Sequence, residues 1–141
     1  MSAKNVALCK ALGWTMRVVE DGYFRGSFSL HDPSGKLIRH GRGNNDVRIM
    51  RLTEDEAWSF AIEQRVVIDY EHDIAAGLDA LQSIATSDQS VSVQIKIRAD
   101  ETLCGIEKGG QDVVVCYAAA PAEAVFAALC AYYHVEVSDG N

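Results

Sequence analysis

The spacing of hydrophobic and polar positions changes several times along the chain, and each change marks an element. Residues 3–12 read as a short helix, with Gly13 where helices end on a left-handed residue. The period then drops to two. Trp14, Met16 and Val18 alternate with Thr15 and Arg17, and Phe24, Gly26, Phe28 and Leu30 alternate with Arg25, Ser27, Ser29 and His31. Strict alternation predicts strands with one buried and one wet face, most often in an antiparallel sheet. Asp32-Pro33-Ser34-Gly35 has the chemistry of a type I turn and predicts a reversal into Leu37-Ile38.

Residues 40–46, His-Gly-Arg-Gly-Asn-Asn-Asp, have loop composition. Thr53 and Glu56 have the spacing of a capping box, so a helix should start there and bury Ala57, Trp58, Ala61 and Ile62. A second helix is predicted from Asp69 or Tyr70, with Ile74, Leu78 and Leu81 on one face and Ile84 or Ala85 extending it. Val91, Val93, Ile95 and Ile97 alternate with Ser92, Gln94 and Lys96, the clearest strand of the chain. A hairpin around Lys108-Gly109-Gly110 should join 102–107 to 112–118. Val113-Val114-Val115-Cys116-Tyr117 is apolar on both faces, which predicts a central strand. Pro121 suits the first position of a last helix running to about Tyr133. These elements predict an α/β (α+β) domain over residues 1–141, without a linker. Its sheet should be largely antiparallel, with roughly five to seven strands. The last helix should cover the face that carries Val91, Val93, Ile95 and Ile97.

Composition sets bounds on this picture. The 141 residues fit one domain, and 48% hydrophobic with 23% charged residues is a globular balance. No apolar run approaches the roughly 20 residues of a membrane helix. The stretch Val6-Ala7-Leu8-Cys9 is too short for a signal peptide, so the expected setting is the cytoplasm. Cys9, Cys104, Cys116 and Cys130 sit in apolar surroundings and none are closely spaced. They read as buried free thiols, neither a disulfide framework nor a zinc site, and no cofactor is implied.

The net charge of −7 argues against general nucleic-acid binding, which depends on neutralising phosphates. The charges are unevenly placed. Residues 36–51 hold Lys36, Arg39, Arg42, Arg48 and Arg51 against Asp46 alone. Residues 54–79 hold Glu54, Asp55, Glu56, Glu63, Asp69, Glu71, Asp73 and Asp79 against Arg65. Arg39, Arg42, Arg48 and Arg51 could converge on a phosphate or carboxylate, because guanidinium forks match such groups in bidentate fashion. They could equally pair with the neighbouring acids as a solvated face.

Asp69, Glu71, His72 and Asp73 could bind a metal or share a proton. On a helix beginning at Asp69, however, the acids would serve as cap and first turn, and His72 and Asp73 would diverge by about 100°. His31, His40 and His134 stand singly, and no nucleophile-elbow, zincin or P-loop spacing occurs. Trp58, Phe60 and Phe126 suit a core. Tyr132 and Tyr133 are adjacent, and one of them, taken as Tyr133, could mark a partner-facing patch.

The run Ile68-Asp69-Tyr70-Glu71-His72-Asp73-Ile74-Ala75-Ala76, followed by a sheet and then Ala120-Pro121-Ala122-Glu123-Ala124, resembles the phage ABA sandwich domain family. Ala11-Leu12-Gly13-Trp14 is similar to that family's amino-terminal segment. Ile68, Glu71 and Leu78 stand where the family tends to have proline, serine and tryptophan. The resemblance implies an alpha-beta-alpha sandwich encoded by a phage or prophage and brings no reaction with it. Three functions are compatible with these readings. The first is a non-enzymatic accessory protein that binds a host protein, with antagonism of a host defence as one such role. The second sequesters a small anionic ligand such as a cyclic nucleotide, and the third is a small hydrolase around Asp69–Asp73. No membrane partner is expected, and homo-oligomers are compatible with each reading.

Overall fold

The computed structural model describes residues 3–18, 20, 28–38, 53–63 and 67–135. The chain divides into two compact units, Met1–Ile68 and Asp69–Asn141. Both mix helices with antiparallel strands, and the α+β class expected from the hydrophobic pattern is the class observed.

The first unit contains α1 (Ala3–Leu12), β1 (Thr15–Val18), β2 (Phe28–His31) and α2 (Glu54–Glu63). Gly13 ends α1 at φ +107°, where its N–H donates to the Lys10 carbonyl at 3.1 Å and that of Trp14 to Cys9 at 3.0 Å. Only glycine adopts this conformation without strain. The buried side of α1 carries Asn5, Leu8 and Cys9. Asn5 Nδ2 donates to the Ile68 carbonyl at 3.1 Å, and Cys9 Sγ to the same oxygen at 3.5 Å. β1 and β2 pair antiparallel, with Met16 opposite Leu30. Asp32 then organises the turn. Its Oδ1 accepts from the Ser34 and Lys36 N–H groups at 2.9 and 3.0 Å, and the Ile38 N–H returns to the Leu30 carbonyl at 2.8 Å. The capping box is present in both directions, Thr53 N–H to Glu56 Oε1 at 3.1 Å and Glu56 N–H to Thr53 Oγ1 at 3.2 Å. Behind it α2 buries Ala57, Trp58 and Ala61, with Met16, Phe28, Ile38 and Phe60 packed around Ala57.

The second unit contains α3 (Ile74–Ser87), β3 (Val91–Ile97), β4 (Thr102–Lys108), β5 (Gln111–Ala118) and α4 (Pro121–Tyr132). The strands form one antiparallel sheet in the order β3-β4-β5. Gly109 and Gly110, at φ +62° and +82°, make the two-residue turn between β4 and β5. Positive φ at both positions matches the twist of a tight hairpin, hence the glycine pair. The register slips by one residue between Ile106 and Glu107, so that Ile106 faces Val114, Glu107 faces Asp112, and Val113 is left as a bulge. α4 packs on β4 and β5, α3 packs on β3, and the two helices pack on each other. Val91, Cys104, Ile106 and Val114 are buried in the sheet, and Val125, Phe126, Leu129 and Cys130 in α4.

Four expectations need correction. The five described strands form two sheets, of two and three strands, and not a single one. β5 is an edge strand and β4 the central one. Apolar residues on both faces of β5 therefore do not report burial on both faces. α3 starts at Ile74, and its buried positions are Gly77, Leu81 and Ile84, while Ile74 and Leu78 are exposed. Ile97 closes β3 at 66% exposure and is not buried with Val91, and β3 takes its cover mainly from α3, with α4 over β4 and β5.

Gly77 explains how the helices approach so closely. A Cβ placed there would lie 2.7 Å from Cγ1 of Val125, a buried, β-branched side chain with little rotamer freedom. Overpacking of this kind costs about 1–3 kcal/mol, against about 1 kcal/mol gained when alanine replaces a helical glycine. Gly77→Ala should therefore lower stability by roughly 1 kcal/mol in urea unfolding. In a Val125→Ala background the same substitution should become stabilising. A stabilising Gly77→Ala in the parent would show that Val125 yields freely.

Candidate functional site

The first residues of the second unit, Asp69 to Asp73, fold as a turn and not as a helix. Asp69 Oδ1 accepts from the Glu71 N–H at 3.2 Å, and its carbonyl accepts from the N–H groups of His72 and Asp73 at 3.3 and 2.9 Å. Asp side chains favour this local bonding because it competes with helical hydrogen bonds. Asp73, and not Asp69, is the N-cap of α3, accepting from the Ala76 N–H at 3.2 Å. The turn also brings His72 Nδ1 to 2.8 Å from Asp69 Oδ2. Donor atoms of Asp69, Glu71 and His72 lie within 4.8 Å of one another, close enough to share a cation. The turn accounts for this geometry without one.

The Asp69 hydrogen bond holds the His72 imidazolium above its ordinary pKa of 6.5, the Asp69 and Glu71 charges adding to the effect. A raised folded-state pKa stabilises fully below the unfolded value and loses that contribution as pH rises through the folded one. An NMR titration should place His72 above 6.5, and Asp69→Asn should move it down. The stability advantage of the parent over His72→Gln should shrink as pH rises through the same range. A His72 titrating at or below its ordinary value would show the pair is absent in solution.

The outer face of the three-stranded sheet carries the other concentration of unusual residues. Register places Ser92 beside Glu107, Gln94 beside Gly105 and Val115, and Lys96 beside Leu103 and Tyr117. Ser92 Oγ reaches Glu107 Oε2 at 3.4 Å, which puts both side chains on this face. At the β3 edge the face is polar. Along β5 it is not: Val115 and Tyr117 are 45% and 61% exposed. The surrounding unit is strongly acidic. Residues 69–141 hold three Lys/Arg against twelve Asp/Glu, a net −9, while residues 1–68 hold ten against eight. No protein-family model matches the chain, nor does any curated protein or solved structure.

Arg39, Arg42, Arg48 and Arg51 lie outside the described residues, as does His40. Tyr133 is half-buried just past α4 and stands edge-on to Tyr132, ring centroids 5.2 Å apart at 84°. Burial, with the neighbouring Tyr132, raises its phenol pKa. The exposed residues of β5 were not singled out from sequence, because an apolar strand reads as interior. The signal available was Tyr117, whose hydroxyl needs water or a partner.

All four cysteines are free, with Cys9, Cys104 and Cys130 buried and Cys116 half-buried. Cys104 and Cys116 face each other across β4 and β5. Burial pushes the Cys104 thiol up to about 11, with Cys116 contributing, and raises Cys116 as well. Thiols kept protonated react slowly. Iodoacetamide at neutral pH should label the native protein far more slowly than the denatured one, as counted by mass spectrometry. Rapid native labelling of Cys104 would contradict the burial.

Proposed function

We propose that the protein is a non-enzymatic accessory protein that captures a basic partner protein on the β5 edge and outer sheet face. The resemblance to phage proteins makes a host factor the intended partner, with antagonism of a host defence as the consequence. The observation that carries this reading is the exposed pair Val115 and Tyr117 on a sheet edge of a unit with net charge −9. An edge strand offers unpaired backbone N–H and C=O groups to an added strand, and alternate side chains on one face give selectivity. Natural edges are commonly guarded by Lys, Pro or inward charges. Lys96 is such a residue on β3, whereas β5 carries none of them past Asp112. Covering each half-exposed apolar side chain would release about 1 kcal/mol. The acidic surroundings favour a basic partner and disfavour a second copy of the same unit.

The hydrolase reading has weaker support, since Asp69 and Asp73 have structural partners in the turn and at the cap of α3. Affinity capture from a bacterial host lysate, using the parent, Val115→Lys and Tyr117→Lys, tests the proposal. The parent should retain a basic protein at low salt and release it as salt screens the attraction. Both variants should fail to retain it while unfolding within about 0.5 kcal/mol of the parent, as surface substitutions do. Equal retention by Tyr117→Lys would remove the outer face from the contact.

A further inference from the structure

We propose that the groove between the β4–β5 hairpin and the end of α4 binds a small organic anion, a carboxylate or phosphate on an apolar body. This goes beyond the protein-binding face and does not depend on it. The groove has a volume of about 520 Å³ and is lined by Lys108, Val113, Val114, Ala131, Tyr132 and His134. Small-molecule sites have this size and this composition, an apolar floor with a few polar groups. Val113, Val114 and Ala131 are the apolar part of the lining. Lys108 and His134 can offer N–H donors, Tyr132 a hydroxyl, and the lining contains no carboxylate.

Two irregularities of the backbone meet here. Val113 is the residue left unpaired by the β-bulge, and bulges redirect side chains next to sites. His134 is the one non-glycine residue with positive φ among those described, at +55°. It follows α4, where glycine would sit without strain. Its N–H donates to the Ala131 carbonyl at 3.2 Å, and that of Val135 to Cys130 at 2.8 Å. The helix end therefore needs this conformation, but it does not need an imidazole. Strain kept at a pocket wall is a pointer to function.

Three features oppose an anion, the first being the net charge of −9 on the unit, which is spread over its surface and screened beyond about 8 Å at physiological ionic strength. Asp88 Oδ2 lies 3.6 Å from Lys108 Nζ, and the end of α4 carries the negative end of the helix dipole. The Asp88–Lys108 pair is exposed, so an entering anion exchanges one weak partner for another. Leu129, Cys130 and Ala131 carbonyls are occupied by N–H donors from residues 133–135, which blunts the dipole.

The test uses the full chain with phenyl phosphate, benzoate, inorganic phosphate and benzyl alcohol, followed by NMR and calorimetry. Phenyl phosphate or benzoate should saturate with Kd below about 1 mM, about tenfold tighter than inorganic phosphate or benzyl alcohol. The comparison of the first two distinguishes phosphate from carboxylate. Amide shifts should centre on residues 108, 113, 114 and 131–134. Lys108→Met should weaken binding about tenfold. His134→Gly should do the same while raising the unfolding temperature, so lost binding cannot be ascribed to lost structure. Tyr117→Lys should bind as the parent does, which separates this groove from the protein-docking face. Absence of saturation, shifts centred elsewhere, or undiminished binding by His134→Gly would each overturn the proposal.

Discussion

The contact between Gly77 and Val125 sets the form of the second unit. Because no side chain stands at Gly77, α3 closes on α4 until Val125 occupies the space a Cβ would take. The two helices then lie side by side on one face of the sheet. Their buried sides meet Val91, Cys104, Ile106 and Val114, while Ile74 and Leu78 of α3 stay exposed. No described helix of this unit remains for the outer face. The distribution of polar and apolar residues on that face is thus an independent choice of sequence, and the two edges make it differently.

Signals acting over a few residues were legible in the sequence. The Thr53–Glu56 capping box, the Asp32 turn, the glycine end of α1 and the Gly109-Gly110 hairpin are fixed by local hydrogen bonding and φ. Properties set by distant partners were not. An unbroken apolar strand has the same pattern whether it is covered twice or once, so β5 read as central. The phase of α3 was misread because Leu78 attracts a hydrophobic assignment and Gly77 does not. Yet Gly77 makes the closest helix contact, and Leu78 is exposed. Periodicity records transfer free energy and is blind to a position chosen for lack of volume.

The segment from Asp69 to Asp73 shows how a cluster of catalytic residue types can arise from backbone needs alone. The sequence pattern makes Asp69 the helix cap and places Asp73 in the first turn. Local geometry assigned the first to a turn and the second to α3. Glu71 and His72 fall between them, so their approach to Asp69 follows from the tightness of the turn. The residue types of the candidate site were visible in the sequence, but their roles depended on where the helix began. The groove beside His134 was less visible still. Its walls come from the hairpin and from α4, and a histidine beyond a helix gives no sign of its φ.

The unguarded edge of β5 raises a question about solubility that the charge distribution answers. An exposed strand bearing valines and a tyrosine would ordinarily invite pairing with a second copy. Two such units approaching edge to edge would bring together two bodies of net charge −9. Their repulsion disfavours that contact, and salt weakens it. The same field attracts a basic surface. Lys96 on the opposite edge adds a local barrier on β3. In this arrangement β3 is guarded by a side chain and β5 by the repulsion between like-charged units.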